Sequence, residues 1–263
     1  NTYGVAEGVT LVPVRVLDCS GSGSTASVIS GINWAIANHV AGVPAVLNLS
    51  LGGGFDSDID TAVNNAIADG IVVVVAAGND GDDLDVTQRN ACNYSPARVP
   101  NAITVGATTS ADARASFSNI GSCVDLFAPG QAIKSTWLNG STNTISGTSM
   151  AAPHVAGAAA AIWGANLTAT SSSIQSLTLA AVTANKLTNV PNGTPNLLLY
   201  VPAGNGVAPS TPLNVAAVGG PGRATLTWQA PTDSGSSAIT GYTVTSNPDN
   251  KKCYWSTGAL SCK

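Results

Sequence analysis

Residues 71–77, Ile-Val-Val-Val-Val-Ala-Ala, are apolar at every position, so a strand built from them has no face to turn to water. Such a strand needs cover on both sides, the situation of a parallel sheet held between layers of helices. Other parts of the chain follow the same rule. Residues 10–18 and 45–51 are strand-like runs, followed by helical stretches at 25–41 and 59–69, and residues 103–106 and 124–127 add further strands. A helix is expected to open at Ser149 and another to lie near 171–183. This alternation predicts an α/β fold, an open parallel sheet with helices on both faces. In such sheets, sites form beyond the C-terminal ends of the strands, where Ser50, Asn79 and the segment Gly21-Ser22-Gly23 fall.

The pattern changes after residue 201. Residues 202–212, Pro-Ala-Gly-Asn-Gly-Val-Ala-Pro-Ser-Thr-Pro, have the composition of an interdomain linker. Beyond them, 213–218, 224–228 and 239–245 alternate apolar and polar residues between Gly-Gly-Pro-Gly and Asp-Ser-Gly-Ser turns, as β-sandwich strands do. A complete sandwich needs about seven strands. The stretch 213–263 is therefore expected to hold half of one, with Trp228 lacking part of its cover.

Composition narrows the partners. Charged residues make up 9% of the 263 residues, against about 25% in average proteins. With a net charge of −4 and no run of Lys or Arg, neither nucleic acid nor an anionic membrane is an expected partner. The longest apolar runs are too short to span a bilayer. A secreted, monomeric protein is expected.

Ser149 lies in Gly-Thr-Ser-Met-Ala-Ala-Pro-His, residues 147–154, at the mouth of a helix with small residues around it. That is how a chain presents a nucleophilic hydroxyl, but such a hydroxyl needs an adjacent general base. The chain has two histidines, His39 and His154. His154 lies five residues further along the same helix, which at ~100° per residue turns it ~140° away and ~7.5 Å along the axis. It is expected to be structural, and His39 to be a polar residue on a helix face. Five cysteines, Cys19, Cys92, Cys123, Cys253 and Cys262, allow fifteen two-bridge arrangements with one orphan, so counting assigns none. Cys253 and Cys262 are close enough to staple a hairpin.

Four ordered motifs carry a resemblance over residues 2–201. They are Leu-Asn-Leu-Ser-Leu-Gly-Gly-Gly at 47–54, Val-Val-Val-Val-Ala-Ala-Gly-Asn at 72–79, Arg-Ala-Ser-Phe-Ser-Asn-Ile-Gly-Ser-Cys-Val-Asp-Leu-Phe-Ala-Pro-Gly at 114–130, and Gly-Thr-Ser-Met-Ala-Ala-Pro-His-Val-Ala-Gly at 147–157. Together they resemble the subtilisin-like serine proteases, in particular the proteinase K and aqualysin group. In that family an Asp and a His precede the Ser, upstream of a Gly-x-x-Tyr-Gly-Val-Ala segment. Here Tyr3-Gly4-Val5-Ala6 stands at the start, so the resemblance implies a chain cut after the histidine motif and inactive as it stands. Residues 193–200 are similar to the family's closing strand.

The resemblance also implies roles. Ser149 is the nucleophile of a secreted endopeptidase, and Asn79 donates to the oxyanion together with the Ser149 main-chain N–H. Gly21-Ser22-Gly23 and Ser50-Leu51-Gly52 are the two edges between which a substrate peptide lies as an added strand. Ala76, Ala77 and Gly78 wall the pocket for the residue before the scissile bond, which leaves room for a large apolar side chain. Calcium, a hard cation that takes oxygen ligands, is the implied cofactor, held by Pro100 and Ala102 carbonyls and Asp125. Cys92 and Cys123 form a disulfide, Cys19 is left without its partner, and Ser95-Pro96 is a cis bond. Residues 80–90 form a longer, acidic loop, read as solvated. The module at 213–263 is similar to the beginning of a fibronectin type III domain, which would contact polymeric substrate or a cell surface. An α/β-hydrolase reading fails because Gly-x-Ser-x-Gly would need glycine where Ala151 stands. The remaining alternative is a protein without a triad whose groove only binds peptide or polymer.

Overall fold

The computed structural model describes residues 3–201, 210–221, 223–232, 239, 241–246, 248, 251–255 and 260–262. Its contacts divide the chain into two units, Asn1–Val201 and Pro202–Lys263. The first unit runs α1 (Thr25–Asn38), β1 (Val46–Leu49), β2 (Gly53–Gly54), α2 (Ser57–Ala68), β3 (Val72–Ala76), β4 (Tyr94–Ser95), β5 (Ile103–Thr108), β6 (Leu126–Pro129), β7 (Ile133–Thr136), β8 (Thr142–Ile145), α3 (Thr148–Ala165), α4 (Ser171–Ala180), β9 (Val182–Ala184) and β10 (Leu197–Leu199). Its main sheet has the order β1-β3-β5-β6-β10-β9. All neighbours are parallel except β9, which runs antiparallel beside β10.

The apolar run at β3 is covered as its composition demands. Val72, Val74 and Ala76 join one core with Ala151, Ala152 and Val155 of α3, while Val73 and Val75 join another with Ile32 of α1 and Val63 of α2. Alternate residues of one strand thus feed two cores, and burying each valine stabilises the fold by about 1.5–3 kcal/mol. Caps set where the covering helices begin. Ser24 accepts from Ser27 N, and Asp56 Oδ1 accepts from Asp58 N and Ile59 N, while Asp56 Oδ2 takes the Thr25 hydroxyl and so joins the starts of α1 and α2.

One expected strand is absent. Residues 10–18 form no ladder, because β1 pairs with β3 alone and offers them no hydrogen-bonded neighbour. Leu11 is 85% exposed and Val12 61%. The apolar side chains that are used, Val14 and Val16, lie against α1 at Gly31, where a Cβ would stand 2.3 Å from Val16 Cγ1. Helix α1 also stops at Asn38, short of residue 41, because His39 leaves the helical conformation and turns its ring to Asp69 and Val43. The Ser95-Pro96 bond is cis, and Cys92 and Cys123 form a disulfide.

In the second unit, β11 (Leu213–Gly220), β12 (Arg223–Gln229) and β15 (Ser261–Cys262) form one antiparallel sheet, and β13 (Tyr242–Thr245) and β14 (Lys252–Trp255) another. Trp228 is buried, contrary to the expectation of missing cover: its ring lies 5.3 Å from Tyr242, which lies 5.4 Å from Trp255. The uncovered strand is β11, exposed at every position including Val215 and Val218. Residues 202–209 of the expected linker and the side chain of Cys262 lie outside the described residues.

Candidate active site

Three chain segments meet at the start of α3. The C-terminal end of β1 supplies Ser50, the loop after β3 supplies Gly78 and Asn79, and α3 itself supplies Thr148 and Ser149. Ser50 and Ser149 are bonded reciprocally: Ser50 Oγ donates to Ser149 O at 2.7 Å, and Ser149 Oγ donates to Ser50 O at 3.2 Å. Ser149 is half-buried, with its hydroxyl on a main-chain carbonyl and not on an imidazole.

Thr148 binds Asn79 to this helix start. Its N–H and its hydroxyl both donate to Asn79 Oδ1, at 2.8 and 2.9 Å, and the hydroxyl accepts from Gly78 N at 3.2 Å. Two donors on Oδ1 fix the orientation of the amide. The Asn79 Nδ2 group is left facing outward beside Gly147, on an exposed residue. An N–H pair held in this way, next to a hydroxyl at a helix N-terminus, can donate to a negative oxygen. Sequence pattern alone does not mark Thr148 as a site residue, although it lies inside the Gly-Thr-Ser motif.

Neither histidine joins the group. His154 Nδ1 is 2.8 Å from Met150 O, one turn back on α3. His39 is not a surface residue of a helix face: its side chain is 5% exposed, with Nδ1 2.7 Å from Asp69 Oδ2 and Nε2 2.9 Å from Val43 O. Both acceptors are satisfied together only by the doubly protonated ring. Burial opposes that charge, but the Val43 carbonyl and the Asp69 carboxylate outweigh it and raise the pKa above its ordinary value.

The other expected site residues are distributed around this centre. Leu51 is half-buried against the α1–α2 core, and Gly52 is exposed above the Ser95 carbonyl. Ala76 and Ala77 are buried, so of that trio only Gly78 is partly open. Gly21-Ser22-Gly23 is an exposed turn organised by Asp18, whose Oδ1 accepts from Ser20 N and Ser22 N. Among the described residues no hydrogen bond joins that turn to Ser50, Leu51, Gly52 or Ser149. A cavity of about 450 Å³ opens beside Met150, Pro153 and His154, and is walled by Trp137, Ile145 and Val5.

Asp125 is half-buried at the head of β6 and accepts from Thr104 N at 2.7 Å. Burial pushes its carboxyl up to about 6, against the lowering effect of that bond. With Pro100 it lines a small cavity of about 160 Å³; Ala102 is buried nearby and is not part of the wall. Arg98, also on the wall, points its guanidinium to Asp60 at 3.5 Å and to the Phe55 ring. Asp125 is the one carboxylate on that wall, which otherwise holds Arg98, Val99, Pro100, Ser122 and Cys123, and among the described residues no group of three or more His, Cys, Asp or Glu side chains is placed to hold a metal ion. In the 80–90 loop, Asp83 and Asp85 accept from main-chain N–H groups two residues on, and Asp85 is held below the usual carboxylate range by the Thr87 hydroxyl and N–H.

The model of the Subtilase family matches residues 1–197. The chain is 61% identical over 203 residues to an extracellular serine proteinase of Thermus sp. (strain Rt41A), covering 76% of this chain and 47% of that one. It is 52% identical over 198 residues to alkaline serine exoprotease A of Vibrio alginolyticus, covering 75% and 35%. A crystal structure of a cold adapted subtilisin-like serine proteinase superposes with a TM-score of 0.70 at 52% identity, over 75% of this chain and 69% of the other. The chain thus spans half or less of the length of these curated relatives.

Proposed function

Because the chain belongs to the subtilase family, we propose that it carries the acyl-transfer centre of a secreted serine endopeptidase. The observation that carries this reading is the pair of bonds from Thr148 to Asn79 Oδ1, with the Asn79 Nδ2 group beside Gly147, where the Ser149 main-chain N also lies. In the proposed reaction Ser149 Oγ attacks the scissile carbonyl and the peptide oxygen becomes an oxyanion. Asn79 Nδ2 and the Ser149 main-chain N–H, one of the first-turn groups a helix leaves without an internal partner, donate hydrogen bonds to that oxyanion. The substrate backbone lies along Ser50-Leu51-Gly52 and Gly21-Ser22-Gly23, with the preceding side chain near Ala76, Ala77 and Gly78.

Attack also requires that the Ser149 proton go to a base. His39 and His154 are committed to Asp69, Val43 and Met150, which supports the proposal that neither serves Ser149 and that the chain alone is inactive. Calcium belongs to the same proposal. Asp125 and the Pro100 and Ala102 carbonyls would hold it, and its charge would stabilise the ionised Asp125 and the β5–β6 region. The unit at 213–263 is proposed as a fibronectin type III-like module that contacts polymeric substrate.

A peptide boronic acid with an apolar residue before the boron tests the centre without turnover, because boron takes up the serine oxygen, the hydroxyl proton passes to buffer, and the tetrahedral boronate places a negatively charged B–O group where the oxyanion would stand. Binding that is lost in Ser149→Ala and weakened in Asn79→Leu is expected. Equal affinity in all three proteins would leave only the peptide-binding alternative.

A further inference from the structure

The loop that carries Asn79 is gripped from behind at the two peptide units on either side of that residue. Asn119, 0% exposed, makes both contacts. Its main-chain N–H donates to Gly78 O at 3.0 Å, and its side-chain Oδ1 accepts from Asp80 N at 2.8 Å. A third bond, Gly81 N to Phe117 O at 2.8 Å, continues the seam. The gripping segment is itself anchored: Ser118 Oγ accepts from Ala107 N of β5, and Arg114 Nη1 donates to the Ala115, Ser116 and Ser118 carbonyls.

We infer that Asn119 is a positioning residue that fixes the direction of the Asn79 amide. The inference rests on the oxyanion role proposed above. Thr148 holds Asn79 Oδ1 through two bonds, and Asn119 holds the main chain on which that side chain stands, through residues 78 and 80. The fit is close. Gly78 has φ +103°, and a Cβ there would stand 2.3 Å from Asn119 Nδ2. Asn119 Nδ2 is itself buried without a hydrogen-bond partner, a cost that a side chain with a merely space-filling role would not carry. The Oδ1 acceptor accounts for it. A buried acceptor is needed for Asp80 N, and an amide supplies it without placing a carboxylate beside the acidic loop.

The test uses the whole chain with ¹⁵N-labelled asparagine and reads the Asn79 side-chain NH₂ signals, assigned by their disappearance in Asn79→Leu. In Asn119→Leu, which keeps the volume and removes the acceptor, the Asn79 pair is expected to broaden away or double. The Asn166 pair, bonded to Ile162 O on α3, is expected to stay unchanged. An unchanged Asn79 pair in Asn119→Leu, or equal disturbance of Asn79 and Asn166, overturns the inference. In the unaltered protein, Asp80 N–H should exchange with solvent at least about tenfold slower than the N–H of the exposed Asp82; equal rates overturn it even if the variants do not fold. None of these signals depends on turnover or boronate binding, so a failed oxyanion reading and a failed Asn119 reading give different results.

Discussion

Replacing Thr148 separates hydrogen bonding from packing at the helix mouth. Thr148 is fully buried, and its hydroxyl makes two contacts, one to Asn79 Oδ1 and one from Gly78 N. Thr148→Val keeps the shape of the side chain, so little cavity forms. It removes two hydrogen bonds of about 1 kcal/mol each and leaves Gly78 N–H without its partner, so the loss is about 2–4 kcal/mol. At 2–4 °C per kcal/mol for a unit of this size, the midpoint should fall by about 4–16 °C. Thr148→Ser keeps both bonds and loses one methyl group, about 1 kcal/mol. Melting followed by circular dichroism should therefore rank the proteins Thr, Ser, Val in falling order. A Val variant as stable as the Ser variant would refute the assignment of these bonds.

Two further outcomes follow from charge. His39 is raised above its ordinary 6.5 by Val43 and Asp69 against the opposing effect of burial, so its contribution is complete below the unfolded value and is lost as pH rises through the folded one; denaturation midpoints should fall across that window in the native protein and not in His39→Asn. Calcium should raise the melting temperature of the native protein and leave Asp125→Asn unmoved, since the variant removes the charge that burial pushes up to about 6; an equal rise in both would place the cation elsewhere.

What the sequence shows of this molecule depends on the range of the forces involved. The run at β3 is legible because burial on both faces leaves no polar position, whatever lies around it. Residues 10–18 look similar but form no strand, since an apolar pattern reports burial and not the presence of a neighbour to pair with. The Gly-Thr-Ser motif and Asn79 mark the site through local pattern. The contacts that fix their geometry do not show in it: Ser50 and Ser149 are 99 residues apart, and Asn119 reaches Asp80 across 39. His39 is misread for the same reason, because its partner Asp69 comes from another helix 30 residues on. Trp228 is buried by Tyr242, from a strand whose pairing the alternating pattern alone does not specify.

Ser149 is proposed as an acylating serine that neither His39 nor His154 serves as base. Intact-mass measurement after treatment with a fluorophosphonate reads this directly: the serine oxygen bonds to phosphorus, fluoride leaves, and the proton needs an acceptor. Slow labelling is expected in buffer and faster labelling when free imidazole supplies the acceptor. Asn79→Leu should lose about 10²-fold in that rate, the scale on which removing one oxyanion donor slows acyl transfer, and Ser149→Ala should not label. Rapid stoichiometric labelling without imidazole, or labelling that persists in Ser149→Ala, would contradict it.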